Sequence, residues 1–421
     1  MIFAADGAPD FEAVDLSDDL SFKHGFPHPF FTWLRENDPV HWHAPTPITP
    51  DGEGFWVVSR YDHAMEVLRN AEIYSSDTGG DRQGGGTTLK DERAAGKVLN
   101  YTDDPHHRVL RSLVNKGFTT QAVGRLEDEL RRRANLLIDD FPIGRPFDFV
   151  AHFSRELPLQ AICIVLGVPQ EDRVQLCELI DNGLEAESQN VLAKEYFVQI
   201  LDYARGIIAE KRRNPRDDIL STIVRARLDG AHLGDTGGRG LTDEELTNFF
   251  VLLFPAGAET TRSAIGGGLR ALIEHPEQLQ ALRDDPDLVK SAVEEFVRWM
   301  TPSIYKRRTV TRDTELAGQA LKRGDKVTIW EMSANRDGLV FDEPFRFDIS
   351  RRPNRHVGFG FGTHVCLGAG LARLEIRIAI EEMLRRIEDF ELAGPARWVP
   401  NNRLLGLREL PLSVTMKEEN K

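Results

Sequence analysis

The chain is expected to fold as a mainly α protein with a small β-sheet region, in a single large domain spanning residues 1–421. Three observations predict this. From about residue 104 to about 300, apolar side chains recur at three- and four-residue spacing, the period of helices packed on a core. Short alternating or apolar runs bounded by Gly and Pro stand near 39–60 and 314–331, so the sheet is minor. Strands and helices do not alternate along the chain, which disfavours a doubly wound nucleotide-binding fold.

Size and charge narrow the function classes. The chain has 421 residues, 41% of them hydrophobic and 29% charged, the balance of a soluble globular protein. A net charge of −14 argues against nucleic acid as the main partner, because phosphate binding requires a basic surface. No apolar run reaches the length of about eighteen residues that a membrane span requires. The N-terminus MIFAADGAPDFEAVD is acidic and has no basic segment before an apolar core, so no secretory signal is expected. The cysteines are Cys163, Cys177 and Cys366, an odd count without Cys-x-x-Cys. A disulfide framework, a structural zinc site and an iron–sulfur cluster are poorly supported, and a cytoplasmic location is expected.

Taken in order, a β-rich part covers about 36–60, where PVHWHAPTPITPDGEGFWVVSR reads as two short strands around a Pro/Gly loop. Residues 76–100 contain GGDRQGGG and read as a long flexible loop, a candidate lid. Thr119 to Asp140 and Gln160 to Ile180 show helical periodicity. Residues 230–241 read as a loop. Thr242 and Glu245 then form a capping-box pattern, opening a helix that ends near His275, before Pro276. At about 45–50 Å, that helix can cross a whole domain. Residues 314–331 read as short strands with Gly turns, and a last helix starts just after Cys366.

The stretch GFGFGTHVCLGAG (358–370) carries the chemistry. A dinucleotide fingerprint would need Gly at Thr363 or Val365, and a P-loop would need Gly-Lys-Ser/Thr, so no phosphate cradle is present. Cys366 instead precedes a helix N-terminus, where amides and the positive helix end favour a thiolate. Gly362 and Gly368 allow backbone amides near the sulfur, and Phe359 can shield one side. Such a thiolate can be the sole protein ligand of a metal centre. With one cysteine available, heme iron fits better than zinc or a cluster. For an isolated cysteine, the alternative is an inert thiol in a Gly-rich turn.

The full spacing Phe359-x-x-Gly362-x-His364-x-Cys366-x-Gly368 resembles the heme-ligand signature of the cytochrome P-450 family, and the resemblance extends over nearly the whole chain. Ala256-Gly257-Ala258-Glu259-Thr260-Thr261 looks like the family's oxygen-activation motif. Pro255 and Gly257 are expected to distort the helix there and leave a backbone carbonyl unpaired, making room for dioxygen and waters. Glu259 and Thr260 would be the catalytic pair that relays protons. Glu295 and Arg298 look like the family's E-x-x-R pair, locked by Arg351, with Arg352 the competing choice. His107, Arg111, Arg308 and His364 match positions that contact the heme propionates, with Arg307 competing with Arg308. Asp104 stands where several relatives have Pro. Asn335-Arg336-Asp337 and GLRELPLSV (406–414) also look like family segments.

The resemblance implies the cytochrome P-450 fold and a monooxygenase using heme b, iron protoporphyrin IX, with Cys366 as axial ligand. One atom of O2 would enter a C–H bond and the other leave as water. Electrons would come from a separate ferredoxin and its reductase, docked near Arg108, Arg131 and Arg373. The pocket is expected to be lined by the 76–100 loop, by Phe249 to Ala256 including Leu253, by Pro302 to Lys306 including Ile304, and by Leu404 and Leu405 through Leu407. That lining is largely apolar and implies a hydrophobic small-molecule substrate. The TRDTELAGQALKRGDKV region loosely resembles members acting on steroids, terpenoids and branched lipids. The rival readings are a peroxide-driven peroxygenase, whose members usually lack the acid–alcohol pair, and a non-enzymatic heme sensor.

Overall fold

The computed structural model describes residues 14–80, 82–188, 194–228 and 239–418. It is mainly helical with small sheets, as the periodicity predicts. The elements that build the site are β1 Val40–His43, β2 Phe55–Val58, β3 Tyr74–Ser75, α1 His106–Asn115, α2 Glu156–Leu166, α3 Arg173–Ser188, α4 Asp243–Glu274, α5 Val289–Met300, β4 Lys306–Val310, β5 Lys326–Ile329 and α6 Ala369–Arg386. No helix among the described residues is long and apolar enough to cross a membrane.

The five strands form one sheet in the order β1-β2-β5-β4-β3. β1 pairs antiparallel with β2, and β5 lies parallel to β2 with Val327 beside Trp56. β4 runs antiparallel to β5, with Arg308 opposite Val327, and β3 closes the edge against β4. The two strands read from 39–60 are therefore the outer hairpin of this sheet. The largest apolar core lies among the helices and surrounds α4, whose Phe249, Phe250, Leu253, Ile265 and Leu269 are buried. Smaller apolar clusters cover the two faces of the sheet.

The capping box forms as the sequence predicts. The Thr242 hydroxyl accepts from the Glu245 amide at 3.2 Å, and the Glu245 carboxylate accepts from the Thr242 amide at 2.7 Å. α4 then runs through Pro255 and ends one residue before His275. Two other helical segments are divided. The run Thr119 to Asp140 breaks after Gly124, giving helices Thr120–Gly124 and Glu127–Asp139. The run Gln160 to Ile180 stops at Gly167, which takes a left-handed φ of 74°, and resumes in α3. A left-handed residue followed by Pro169 ends a helix whatever the apolar period does. The expected loop 230–241 lies largely outside the described residues.

The 76–100 loop reads from sequence as a flexible candidate lid, and its described residues are fastened to the sheet. Asp91 accepts from Arg307 Nη1 at 2.7 Å and pairs with Arg82, and its amide donates to Asp51 at 2.8 Å. Lys326, buried beneath, donates to Asp51 at 2.7 Å and to the Leu89 carbonyl at 3.0 Å. GGDRQGGG advertises chain freedom, whereas the charges that anchor the loop are scattered over distant segments.

Candidate functional site

The cysteine loop is shaped by two left-handed glycines, Gly360 (φ 69°) and Gly362 (φ 72°). They fold the chain back so that the Cys366 amide donates to the Phe359 carbonyl at 2.8 Å. α6 starts at Ala369, and the Gly368 amide donates to the Cys366 sulfur, the interaction expected of a thiolate before a helix N-terminus. Burial raises the thiol's pKa, and Gly368, Lys306, Arg111 and Arg373 oppose that rise, in that order. The residue as a whole nonetheless keeps exposed surface.

Gly362 has a different purpose from the one expected. A Cβ there would stand 2.7 Å from the Leu68 carbonyl oxygen, so the glycine admits a neighbouring helix end rather than the sulfur. Gly368 has no atom within 4 Å of its Cβ position. The Phe359 ring supports the Arg373 guanidinium at 4.4 Å.

Four basic side chains converge beside this loop. His107, buried on α1, lies 4.2 Å from His364, ring centroid to centroid. One turn along α1, Arg111 donates to the Thr363 carbonyl at 3.3 Å. Arg308 is buried on β4 and donates to the Arg307 carbonyl at 2.8 Å. His364 Nε2 is buried with no hydrogen-bond partner. Burial pushes the His364 pKa down to about 2, and Arg308, His107 and Arg111 add repulsion. Burial also lowers Arg308 to about 10. Burying like charges together is costly unless an anion joins them. A cysteine sulfur that accepts a backbone amide beside a helix N-terminus and an orphaned imidazole among cations fit an iron porphyrin, whose carboxylates are the missing anions. Arg307 points to the opposite face of β4, toward Asp91, which separates it from Arg308.

On α4 the Thr260 hydroxyl donates to the Ala256 carbonyl at 2.9 Å, and Ala256 is exposed. The helix is not interrupted at Pro255, and the hydroxyl is tied back onto the carbonyl one turn earlier. Gly257 serves packing: a Cβ there would meet Ile162 Cδ1 of α2 at 2.6 Å. Glu259 is buried and pairs with Arg262, whose Nη1 reaches Asp181 of α3 at 3.0 Å. Burial pushes the Glu259 carboxyl up to about 7, against the pull of Arg262.

Glu259, Thr260, Arg262, Ser263, Pro302, Val399, Asn401, Leu404 and Gly406 line one cavity. Of the segments expected from sequence to line a pocket, Pro302, Leu404 and Gly406 line this cavity. Phe249, Leu253, Ile304 and Leu405 are instead packed into the apolar cores. Arg262 stands three residues beyond Glu259, a same-face spacing that could have flagged it. Asp181 and Asn401 carry no local signal.

Beneath the loop, Arg298 holds Glu295 through two 2.7 Å hydrogen bonds, both side chains at 0% exposure. Arg351 Nε stands 3.4 Å from Glu295, while Arg352 is exposed. Arg298 also donates to the carbonyls of Asn335, Pro344 and Arg346. Asn335 in turn accepts from the Val357 amide at 2.8 Å, one residue before the loop. Arg108, Arg131 and Arg373, expected to form a basic docking patch, are each neutralised: by Asp104, by Glu127, Glu381 and Glu382, and by Glu294.

Comparison with known proteins agrees with this geometry. The family profile described as Cytochrome P450 matches residues 159–416. A putative cytochrome P450 126 of Mycobacterium tuberculosis is 48% identical over 407 residues, covering 95% of this chain and 97% of that protein. A steroid C26-monooxygenase of Mycobacterium bovis is 36% identical over 91% of this chain and 88% of its own length. The structure of a Mycobacterium marinum cytochrome P450 in complex with pseudoionone superposes with a TM-score of 0.85 at 35% identity, covering 95% and 98% of the two chains. A loop cysteine, a convergent set of basic groups, and a buried acid and a hydroxyl lining one cavity thus belong to one architecture, and the chain is a member of the cytochrome P450 family, a monooxygenase.

Proposed function

We propose that this chain binds heme b through Cys366 and inserts one atom of O2 into a C–H bond of a hydrophobic small molecule, the other atom leaving as water. The orphaned His364 Nε2 among Arg308, His107 and Arg111 carries the reading, because heme carboxylates would complete that cluster. When bound, the heme supplies the oxygen chemistry and the protein supplies position and protons. Cys366 presents its sulfur from the helix N-terminus. Arg298 and Glu295 hold the loop's underlying scaffold rigid. Glu259, its carboxyl raised to about 7 by burial, can take up or release a proton in the cavity it lines with Thr260. Pro302, Val399 and Leu404 give the cavity an apolar side for the substrate, opposite the polar side made by Glu259, Thr260, Arg262, Ser263 and Asn401.

Electrons are assigned to a separate ferredoxin and its reductase, in the cytoplasm. The substrate class rests on similarity: relatives at 36% identity are named steroid C26-monooxygenase and methyl-branched lipid omega-hydroxylase. A steroid or branched lipid is therefore the first choice. The test is turnover under labelled O2 with NADH, reductase and ferredoxin, set against turnover with hydrogen peroxide alone. Label in the product only in the first case supports the reading. Efficient product formation with peroxide alone would replace it with a peroxygenase.

A further inference from the structure

Asn401 lines the cavity and is 7% exposed, yet half of its carboxamide is unspent. Its Oδ1 accepts from the Arg403 amide at 2.9 Å and from the Leu404 amide at 2.7 Å. Those two N–H groups fix which end of the side chain is which, because a flipped carboxamide would set its NH2 against them. Nδ2 is therefore the end turned away from the loop backbone. It carries two N–H bonds, and among the described residues it has no acceptor. It is also not one of the sealed, partnerless side-chain atoms, as Asn100 Oδ1 is, so the nitrogen keeps open surface.

The segment that carries this amide is held from two sides. Asn402 donates through its amide to Asp19 at 2.7 Å and through Nδ2 to the Leu16 and Ser17 carbonyls, both at 3.2 Å. Across from it, Ile304 donates to the Arg403 carbonyl at 3.0 Å and Leu405 to the Pro302 carbonyl at 2.8 Å. A donor fixed in this way loses little freedom when an acceptor arrives. The neighbouring polar groups of the cavity are already engaged. The Thr260 and Ser263 hydroxyls donate back to the Ala256 and Glu259 carbonyls at 2.9 and 3.0 Å, and Arg262 turns to Glu259 and Asp181. Pro302, Val399 and Leu404 add apolar surface. An apolar wall with a fixed, unspent neutral donor matches an apolar molecule that carries an acceptor oxygen.

We propose that Asn401 Nδ2 donates to a carbonyl oxygen of the substrate and so selects hydrophobic ketones over hydrocarbons of the same shape. The inference rests on the monooxygenase reading above and adds to it the polar group that the substrate carries. This end of the carboxamide offers only protons. A ketone, which only accepts, therefore suits it better than an alcohol, whose hydroxyl must also place a proton of its own.

The measurement is the low-spin to high-spin titration of the heme-loaded protein with 2-undecanone, 2-undecanol and undecane. Asn401→Asp is the informative variant, because it keeps an oxygen for the Arg403 and Leu404 amides and replaces the NH2 by a second oxygen. Relative to undecane, 2-undecanone is expected to bind Asn401→Asp about three- to tenfold more weakly than it binds wild type, the scale of one neutral hydrogen bond. The alcohol should gain on the ketone in that variant, since its hydroxyl can donate to the new carboxylate. Asn401→Leu, which also loses the loop contacts, should show the same relative loss of the ketone. An unchanged ketone-to-alkane ratio in Asn401→Asp, or an equal loss for all three probes, overturns the inference. So does a wild type in which the ketone produces no spin shift. The thiolate-type spectrum of the reduced, CO-bound wild type checks the underlying reading separately. If that band is present and the ketone ratio does not move, only this inference fails.

Discussion

The imidazoles of His107 and His364 lie 4.2 Å apart, although one sits on a helix near the start of the helical core and the other two residues before Cys366. Each is pushed toward the neutral form by burial, and Arg111 adds repulsion to both. A buried ring and a half-buried one pressed together beside Arg308 make sense when a dianionic group joins them. His364→Ala and Arg308→Met are each expected to speed heme loss about tenfold to a hundredfold. Arg307→Met should leave it unchanged, since that side chain turns to Asp91. Transfer of heme to apomyoglobin measures all three.

Glu259 sets a pH limit. Its carboxyl is raised to about 7, so it holds a proton below that pH and loses it above. The product formed per NADH consumed is expected to fall as pH rises through about 7, with uncoupled peroxide rising in its place. Glu259→Gln should lower coupled turnover by about a hundredfold or more, the usual loss when a proton-relaying group is removed, and should abolish the pH dependence. A pH profile identical in the variant would remove Glu259 from the proton path.

The scaffold beneath the loop makes a stability prediction. Arg298→Ala leaves Glu295 buried and charged without its bidentate partner, a loss of about 3–5 kcal/mol. Arg351→Ala should cost less, because its nearest nitrogen stands 3.4 Å from Glu295 and Arg298 remains. Urea unfolding of the two variants ranks them.

The 76–100 loop is held through Asp91. Asp91→Asn weakens the contacts to Arg307 and Arg82 and leaves Arg307 buried with a poorer partner. Amide exchange is expected to rise across residues 85–100 while α4 and α6 stay protected. Unchanged exchange in that loop would show that its apolar contacts alone hold it.

Much of this was legible in the sequence because it is local. The capping box, the strands at 39–60 and the ligand loop are each written within a few consecutive residues, where spacing translates directly into geometry. Choices between neighbours were not legible. Arg307 and Arg308 look equivalent in a string, and only the strand's alternation sends one to Asp91 and the other to His364. Pocket lining was legible in part: Pro302 and Leu404 line the cavity, whereas Phe249 and Leu253 have the right chemistry but pack into the core. The clustering of Glu259, Arg262 and Asp181 joins residues 81 positions apart, which no local pattern encodes. The glycines misled most. Gly257 reads as a helix-distorting residue and Gly362 as room for amides near the sulfur, yet they make room for Ile162 and for the Leu68 carbonyl.

The central claim is that Cys366 is the thiolate that holds heme iron. The absorption spectrum of the reduced, CO-bound protein tests it most directly. Wild type is expected to show the strongly red-shifted Soret band of thiolate ligation, and Cys366→Ser to lose that band while Cys163→Ser and Cys177→Ser keep it. A protein that stays colourless after heme supplementation, or a red-shifted band that survives in Cys366→Ser, would contradict the claim.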